Sequence, residues 1–378
     1  MNYGVYIHIP FCVKKCGYCD FYSLAGRDEL MRPYTEALLK EIAIQGTMAS
    51  RAGKAATLYI GGGTPTALPV AYLSQIIQMT CASFPFTDNA EITVEANPGT
   101  VNLEYMTALE TLGVTRLSMG AQVFNDKILK DIGRIHTTQD IRDAVRWARA
   151  AGIVDVSIDI MYGLPGQTMD DVVWSVGSAM DLAATHISIY GLTIEDGTPF
   201  AVRMKNGELT LPSEDETDAM YDYLTENLPP YGFLRYEIAN FAREGFESRH
   251  NIGYWTDVPY VGLGAAASSY WDGRRYTNVA DVEQYIEMVE RGESPARLSE
   301  QPTRKNALEE FCFLSLRMTR GLDKAQFEKK FDTTIESIYG NEIEDLKAKE
   351  LLVEEDGFLR LTKRGMKLGN VAFRAFML

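Results

Sequence analysis

Short runs rich in β-branched and aromatic residues alternate with helical patterns through the first half of this chain, and that alternation constrains the fold more than any other feature. Strands are expected at 5–9, 57–60, 91–95, 116–119, 155–160 and 186–190. Helices, with apolar residues recurring at three and four positions, are expected at 33–44, 72–83, 103–112, 141–150 and 170–182. Strand and helix in turn is the pattern of βαβ units joined into a parallel sheet. Six units in about 190 residues fall short of an eight-stranded barrel, so periodicity leaves open a partial barrel or a doubly wound sheet. Both place chemistry at the carboxyl ends of the strands.

After Thr193 the alternation gives way to turn chemistry in EDGTPF, KNGE and LPPYG. We therefore divide the chain into 1–193, an α+β extension at 194–298 and a C-terminal module at 299–378. The extension carries a helix at 214–227 and a glycine-rich run at 262–267. The last module has helices at 304–319, 324–330 and 338–349, a short strand in GFLRLT and a final helix from Arg364. That order suggests a small winged-helix-like domain with a partner or packing role.

A chain of 378 residues exceeds what one core usually serves. With 37 basic against 52 acidic residues the net charge is -15, which argues against nucleic acid or an anionic membrane as partner. The start, MNYGVYIHIPF, lacks the features of a secretory signal, and no apolar run approaches the roughly 18 residues of a membrane span. A soluble cytoplasmic protein without membrane insertion is expected. Five cysteines, three of them crowded together, fit reduced thiols better than a disulfide framework. Cys81 and Cys312, in apolar helical surroundings, are expected as core thiols.

The crowded three lie in HIPFCVKKCGYCDF, directly after the first strand. Structural zinc takes four protein ligands and a redox dithiol takes two. Iron–sulfur clusters take cysteine thiolates, and three thiolates on a four-iron cluster leave one iron open to a ligand. Zinc completed by His8 or Asp20, and unligated thiols, are the alternatives. The spacing CxxxCxxC, Cys12, Cys16 and Cys19 with Tyr18 before the last, resembles the radical S-adenosylmethionine superfamily. YIHIPFC is similar to the branch holding the oxygen-independent coproporphyrinogen dehydrogenases and the HemW heme chaperones. The likeness covers nearly the whole chain. It implies a partial (β/α)6 barrel, a 4Fe-4S cluster on the three cysteines, and S-adenosylmethionine chelated by the open iron.

Further residues take their expected roles from the same resemblance. The run Gly61-Gly62-Gly63-Thr64-Pro65 reads by itself as a cofactor loop or a tight turn, and it lacks the spacing of a dinucleotide fingerprint. The resemblance sets Gly62, Gly63 and Thr64 beside the methionine part of the cofactor. It makes Glu95 a ribose ligand and Arg134 a partner for the ligand's carboxylate, and it adds Gln122, Asp159, Tyr6 and Tyr18. His8, His136 and His186 are read as structural imidazoles.

Three features separate the branches, two against the dehydrogenases and one for the other branch. The dehydrogenases carry a further cysteine two positions after the third, where this chain has Phe21, and they have an extension before the first strand. HemW proteins carry HNxxYW, matched by His250-Asn251-Ile-Gly-Tyr254-Trp255. A neutral imidazole can ligate heme iron while flanking aromatics cover the macrocycle. The expected function is heme carriage to an acceptor hemoprotein, a respiratory membrane protein being the candidate, with His250 as ligand. The rival is oxidative decarboxylation of coproporphyrinogen III. No motif names the electron donor.

Overall fold

The structure, a computed structural model, describes residues 2–377. Six parallel strands lie side by side in chain order: β1 (Asn2–Ile9), β2 (Lys54–Gly62), β3 (Phe86–Ala96), β4 (Arg116–Gln122), β5 (Asp155–Tyr162) and β6 (His186–Gly191). Helices α1 (Met31–Ala49), α2 (Val70–Ser83), α3 (Leu103–Thr111), α4 (Thr138–Ala151) and α5 (Met169–Asp181) follow the first five strands in turn. Capping boxes at Thr137 with Asp140 and at Thr168 with Asp171 start α4 and α5 where the chain leaves its loops. A doubly wound sheet reverses its strand order. Here the order never reverses, and side chains from β2 to β6 line one cavity. The chain is a partial barrel of six units.

Each strand alternates sharply. In β4, Leu117, Met119 and Ala121 are fully buried, while Arg116, Ser118, Gly120 and Gln122 face the cavity. In β5, Val156, Ile158 and Ile160 are buried among the core side chains and Ser157, Asp159 and Met161 face the cavity. Period-two side-chain direction therefore splits every strand into an apolar outer row and a largely polar inner one.

The segment 194–298, expected as an α+β extension, completes the same sheet and core. It supplies α6 (Glu214–Asn227), β7 (Leu234–Arg235), β8 (Asn240–Ala242), α7 (Arg249–Trp255) and β9 (Tyr260–Leu263), then β10 (Ser268–Trp271), β11 (Arg274–Asn278) and β12 (Ala296–Glu300). Strand β9 pairs parallel with β1, and β8 pairs antiparallel with β6, giving twelve strands in one open sheet. Phe200, Leu224, Phe241 and Leu263 join the barrel's own core. The change at Thr193 is one of connectivity, which local patterning registers, whereas the shared core depends on long-range pairing.

The C-terminal module has its own core, built on Phe311, Phe327, Tyr339, Leu359 and Phe376. Three helices, Arg304–Ser315, Lys324–Phe331 and Glu336–Ala348, pack with a three-stranded antiparallel sheet. Cys312 is buried there as expected, but Cys81 is exposed. The core stripe of α2 runs through Leu73, Ile76, Ile77 and Thr80, and Cys81 falls just outside it.

A buried carboxylate ties β9 and its neighbours to α1. Glu41 accepts from the Gly264 amide at 2.8 Å, the Tyr285 hydroxyl at 2.6 Å and the Asn278 amide at 2.8 Å. Removing it would leave the Gly264 amide and the Tyr285 hydroxyl without this acceptor and the Asn278 amide with only the Gly264 carbonyl. We expect Glu41→Ala to lower the unfolding free energy by about 3 kcal/mol or more in urea titration. A loss near zero would mean that the knot contributes nothing.

Candidate functional site

The cysteine loop leaves the carboxyl end of β1 and is pinned at both base and middle. Phe11–Cys12 pairs with Leu24–Ala25 at the base. In the middle the Gly17 amide donates to the Ile132 carbonyl at 3.0 Å, and the Gly17 carbonyl accepts from the Phe200 amide at 2.9 Å. A Cβ at Gly17 would meet the Phe200 ring at 2.4 Å, so no larger residue fits there. Cys16 is buried, Cys12 and Cys19 half-buried. Burial pushes the Cys12 and Cys19 thiols up, a cost that coordination to a metal would offset. Arg134 donates to the Cys16 sulfur at 3.4 Å and Thr64 Oγ1 lies 3.6 Å from that of Cys12. Among the described residues no three His, Cys, Asp or Glu side chains converge on a single ion.

The three sulfurs open into a cavity of about 460 Å³ inside the barrel, a size suited to a cofactor. Tyr18, Gly62, Gly63, Thr64, Glu95, Gln122, Arg134 and Asp159 all line it together with the cysteines. Two buried polar atoms on its wall, Nε of Arg134 and Oδ1 of Asp159, have no protein partner. Orphaned buried groups are costly and mark a place for a ligand. One donor and one acceptor suit a molecule carrying both a carboxylate and hydroxyls, so the wall fits S-adenosylmethionine beside a three-thiolate cluster.

The glycine run serves mainly the protein's own packing. Gly62 alone of the three has positive φ, at 113°. A Cβ on Gly61 would meet the Glu95 carboxylate at 2.9 Å, and one on Gly63 the Phe11 carbonyl at 2.7 Å. These clearances let the loop close against Cys12 and let Glu95 accept from the Gly62 amide at 3.1 Å. Gln122 is aimed inward by an irregularity between Met119 and Gln122, where its own φ reaches 70°. A non-glycine residue in that region is a local strain of the kind found at binding sites.

Sequence reasoning missed the inner row: Tyr59, Arg116, Ser118, Ser157, His186 and Ser188. The signal was present as polar residues at alternate strand positions. Tyr59 donates to Glu95 at 2.7 Å, and Arg116 pairs with Asp155 at 2.9 Å. The three histidines left as structural are satisfied. His8 bonds Tyr6 and the Tyr22 carbonyl, His136 bonds Asn97 and the Ala121 carbonyl, and His186 bonds Ser157 and Tyr236.

Two expected site residues lie elsewhere. Tyr6, expected to face the cofactor, is not among the cavity's wall residues; its hydroxyl is 3.0 Å from His8 Nδ1 and its ring stacks on Tyr59 at 6.3 Å. His250 sits at the other end of the barrel, on the short helix α7. The Glu91 carboxylate anchors that helix by accepting from the Arg249 and His250 amides at 2.8 and 3.0 Å. Ser248 and Asn251 face the main cavity, while His250 and Tyr254 face a second cavity of about 200 Å³. His250 is 4 % exposed and stacks on Tyr59 at 5.1 Å. Burial pushes its pKa down to about 3, so the ring is neutral at ordinary pH.

Burial raises the Glu95 carboxyl to about 7 and that of Asp159 to about 6. Between its ordinary value of 4.5 and about 7, folded Glu95 keeps a proton that the unfolded chain has released. Stability should therefore fall as pH rises through that window and level off above it. Because the wall is reached by water, the loss should be on the order of 2 kcal/mol. Glu95→Gln should remove the larger part of this slope in ligand-free protein unfolded by urea at pH 5 and pH 8, leaving only the part below about pH 6 that Asp159 contributes. Parallel profiles for the two proteins would refute the shift.

Comparison with known proteins agrees with this geometry. The family model described as "Radical SAM superfamily" matches residues 6–176, and "HemN C-terminal domain" matches 303–368. The heme chaperone HemW of Lactococcus lactis is 38% identical, over 99% of this chain and 97% of its own. That of Bacillus subtilis is 37% identical, over 99% of both. The solved coproporphyrinogen III oxidase (HemN) of Escherichia coli superposes with a TM-score of 0.87 over 99% of this chain and 89% of its own, at 22% identity, a likeness of fold. The chain belongs to the HemW family of the radical SAM superfamily.

Proposed function

We propose that this protein is a heme chaperone: it binds heme beside α7 and hands it to an acceptor hemoprotein. The observation that carries the reading is the likeness, along 99% of the chain, to proteins named as heme chaperones. Cys12, Cys16 and Cys19 would hold a 4Fe-4S cluster, and Arg134, Glu95 and Asp159 would hold S-adenosylmethionine against it. When bound, the cluster supplies an open iron that chelates the cofactor and a store for one electron. The chain's own part at that end is to orient the ligand and shield it. Phe21, 67% exposed, stands where the dehydrogenases carry their further cysteine.

The heme ligand we assign is His250. Its cavity is walled by Tyr3, Ile252, Tyr254, Val258 and Tyr260, aromatic and apolar side chains suited to a macrocycle. At about 200 Å³ it is smaller than a pocket that swallows its ligand, which typically measures about 300 Å³ or more. Heme would therefore lie across the mouth, with its iron toward the imidazole. Partial exposure suits a carrier, because the acceptor must reach the cargo. We take the acceptor to be a respiratory membrane hemoprotein met by protein contact. Among the described residues no helix is long and apolar enough to cross a membrane.

The rival activity is separated by one comparison on anaerobically reconstituted protein. Heme titration should give one heme per chain, with loss of at least tenfold in affinity in His250→Ala. Coproporphyrinogen with S-adenosylmethionine and a reductant should give no porphyrin product. Repeated turnover of coproporphyrinogen would overturn the carrier reading.

A further inference from the structure

Both nitrogens of His250 are engaged, and the two bonds are not equivalent. Thr57 Oγ1 lies 2.7 Å from Nδ1 and the Tyr254 hydroxyl 2.9 Å from Nε2. Gly4 of β1 makes room for the ring: a Cβ there would stand 3.2 Å from both the imidazole and Thr57. The Tyr59 ring stacks on one face at 26°, and Tyr254 meets it edge-on at 85°. Ring plane and rotation are thus fixed before any ligand arrives.

A phenol, with an ordinary pKa near 10, is the stronger hydrogen-bond acid of the two hydroxyls. That difference favours the tautomer in which Tyr254 donates to the Nε2 lone pair and the ring proton sits on Nδ1, directed at Thr57. In that tautomer Nε2 is the free base, on the Tyr254 side of the ring; Thr57, His250 and Tyr254 all line the second cavity. Metal-bound imidazoles are normally held in this way, with the other nitrogen's proton on an oxygen.

We propose that Thr57 and Tyr254 are positioning residues for heme ligation. Thr57 fixes the tautomer and ring plane that present Nε2, and the Tyr254 hydroxyl occupies that lone pair until iron replaces it. The inference rests on the reading of His250 as heme ligand. On loading, one coordinate bond from Nε2 to iron forms and one hydrogen bond from Tyr254 breaks. Tyr254 keeps its proton, Nδ1 keeps its own, and no redox partner is needed. In the empty protein the same hydroxyl keeps a buried lone pair satisfied.

The two residues therefore have opposite effects. Giving up a neutral hydrogen bond costs a factor of about five in affinity, so Tyr254→Phe should bind heme about fivefold more tightly. Thr57→Val leaves Nδ1–H without its oxygen and should bind about tenfold more weakly, while Thr57→Ser should restore affinity. The experiment is heme titration of the full chain, following the Soret band, with the melting temperature of each variant measured alongside. A merely structural role would lower melting temperature and affinity together in both variants. Weaker binding by Tyr254→Phe, or unchanged binding by Thr57→Val, overturns the inference while His250→Ala still loses at least tenfold in affinity. Retention of heme by His250→Ala removes the underlying assignment as well.

Discussion

Polar side chains inside a barrel are costly unless each finds a partner, and this requirement organises the molecule. The inner row from Tyr59 to Ser188 cannot be packed shut like an apolar core. Some members are satisfied within the wall, as in the Arg116–Asp155 pair, the Tyr59–Glu95 bond and the His186–Ser157 bond. Others, Asp159 and Arg134 above all, keep an atom unpaired. An open sheet that encloses a hollow resolves the conflict, because the hollow admits water or a cofactor. The apolar outer row under α1 to α5 supplies the cohesion that the interior lacks.

The barrel then has two usable ends. At the carboxyl end of the strands the thiolate loop and the glycine run meet around the cavity. At the amino end α7 closes the floor, held by Glu91 at its first amides. That helix is a partition, with Ser248 and Asn251 on the cofactor side and His250 and Tyr254 on the other. Tyr59 spans the two, bonding Glu95 with its hydroxyl and stacking its ring on His250. The C-terminal module also reaches the partition: Arg317 lies over the Trp255 ring at 4.6 Å, and Lys330 pairs with Asp257. In the proposed arrangement cofactor and cargo would sit on opposite sides of one thin wall.

Much of this was legible in the sequence because it is local. The βα alternation gave the six units, and the cysteine spacing marked the loop at the end of β1. Glu95, Gln122, Arg134 and Asp159 were placed together by resemblance, and the cavity does bring them together. The inner row was written as plainly, in Ser118, Ser157 and Ser188 set between Leu and Ile. It was passed over because single serines carry little chemistry until a sheet aligns them. What no local pattern could give was the membership of 194–298 in the barrel, since β9 pairs with β1 across some 250 residues. The burial of His250 was hidden for the same reason, as Thr57 and Gly4 come from distant strands.

The central claim is that heme and the cluster belong to opposite ends of the barrel, and the most direct test removes one end. Chains with Cys12, Cys16 and Cys19 all changed to alanine should lose the iron–sulfur absorption and S-adenosylmethionine binding. They should still take up one heme with an unchanged Soret band. Loss of heme binding together with the cysteines would place the cargo at the thiolate loop and contradict the account.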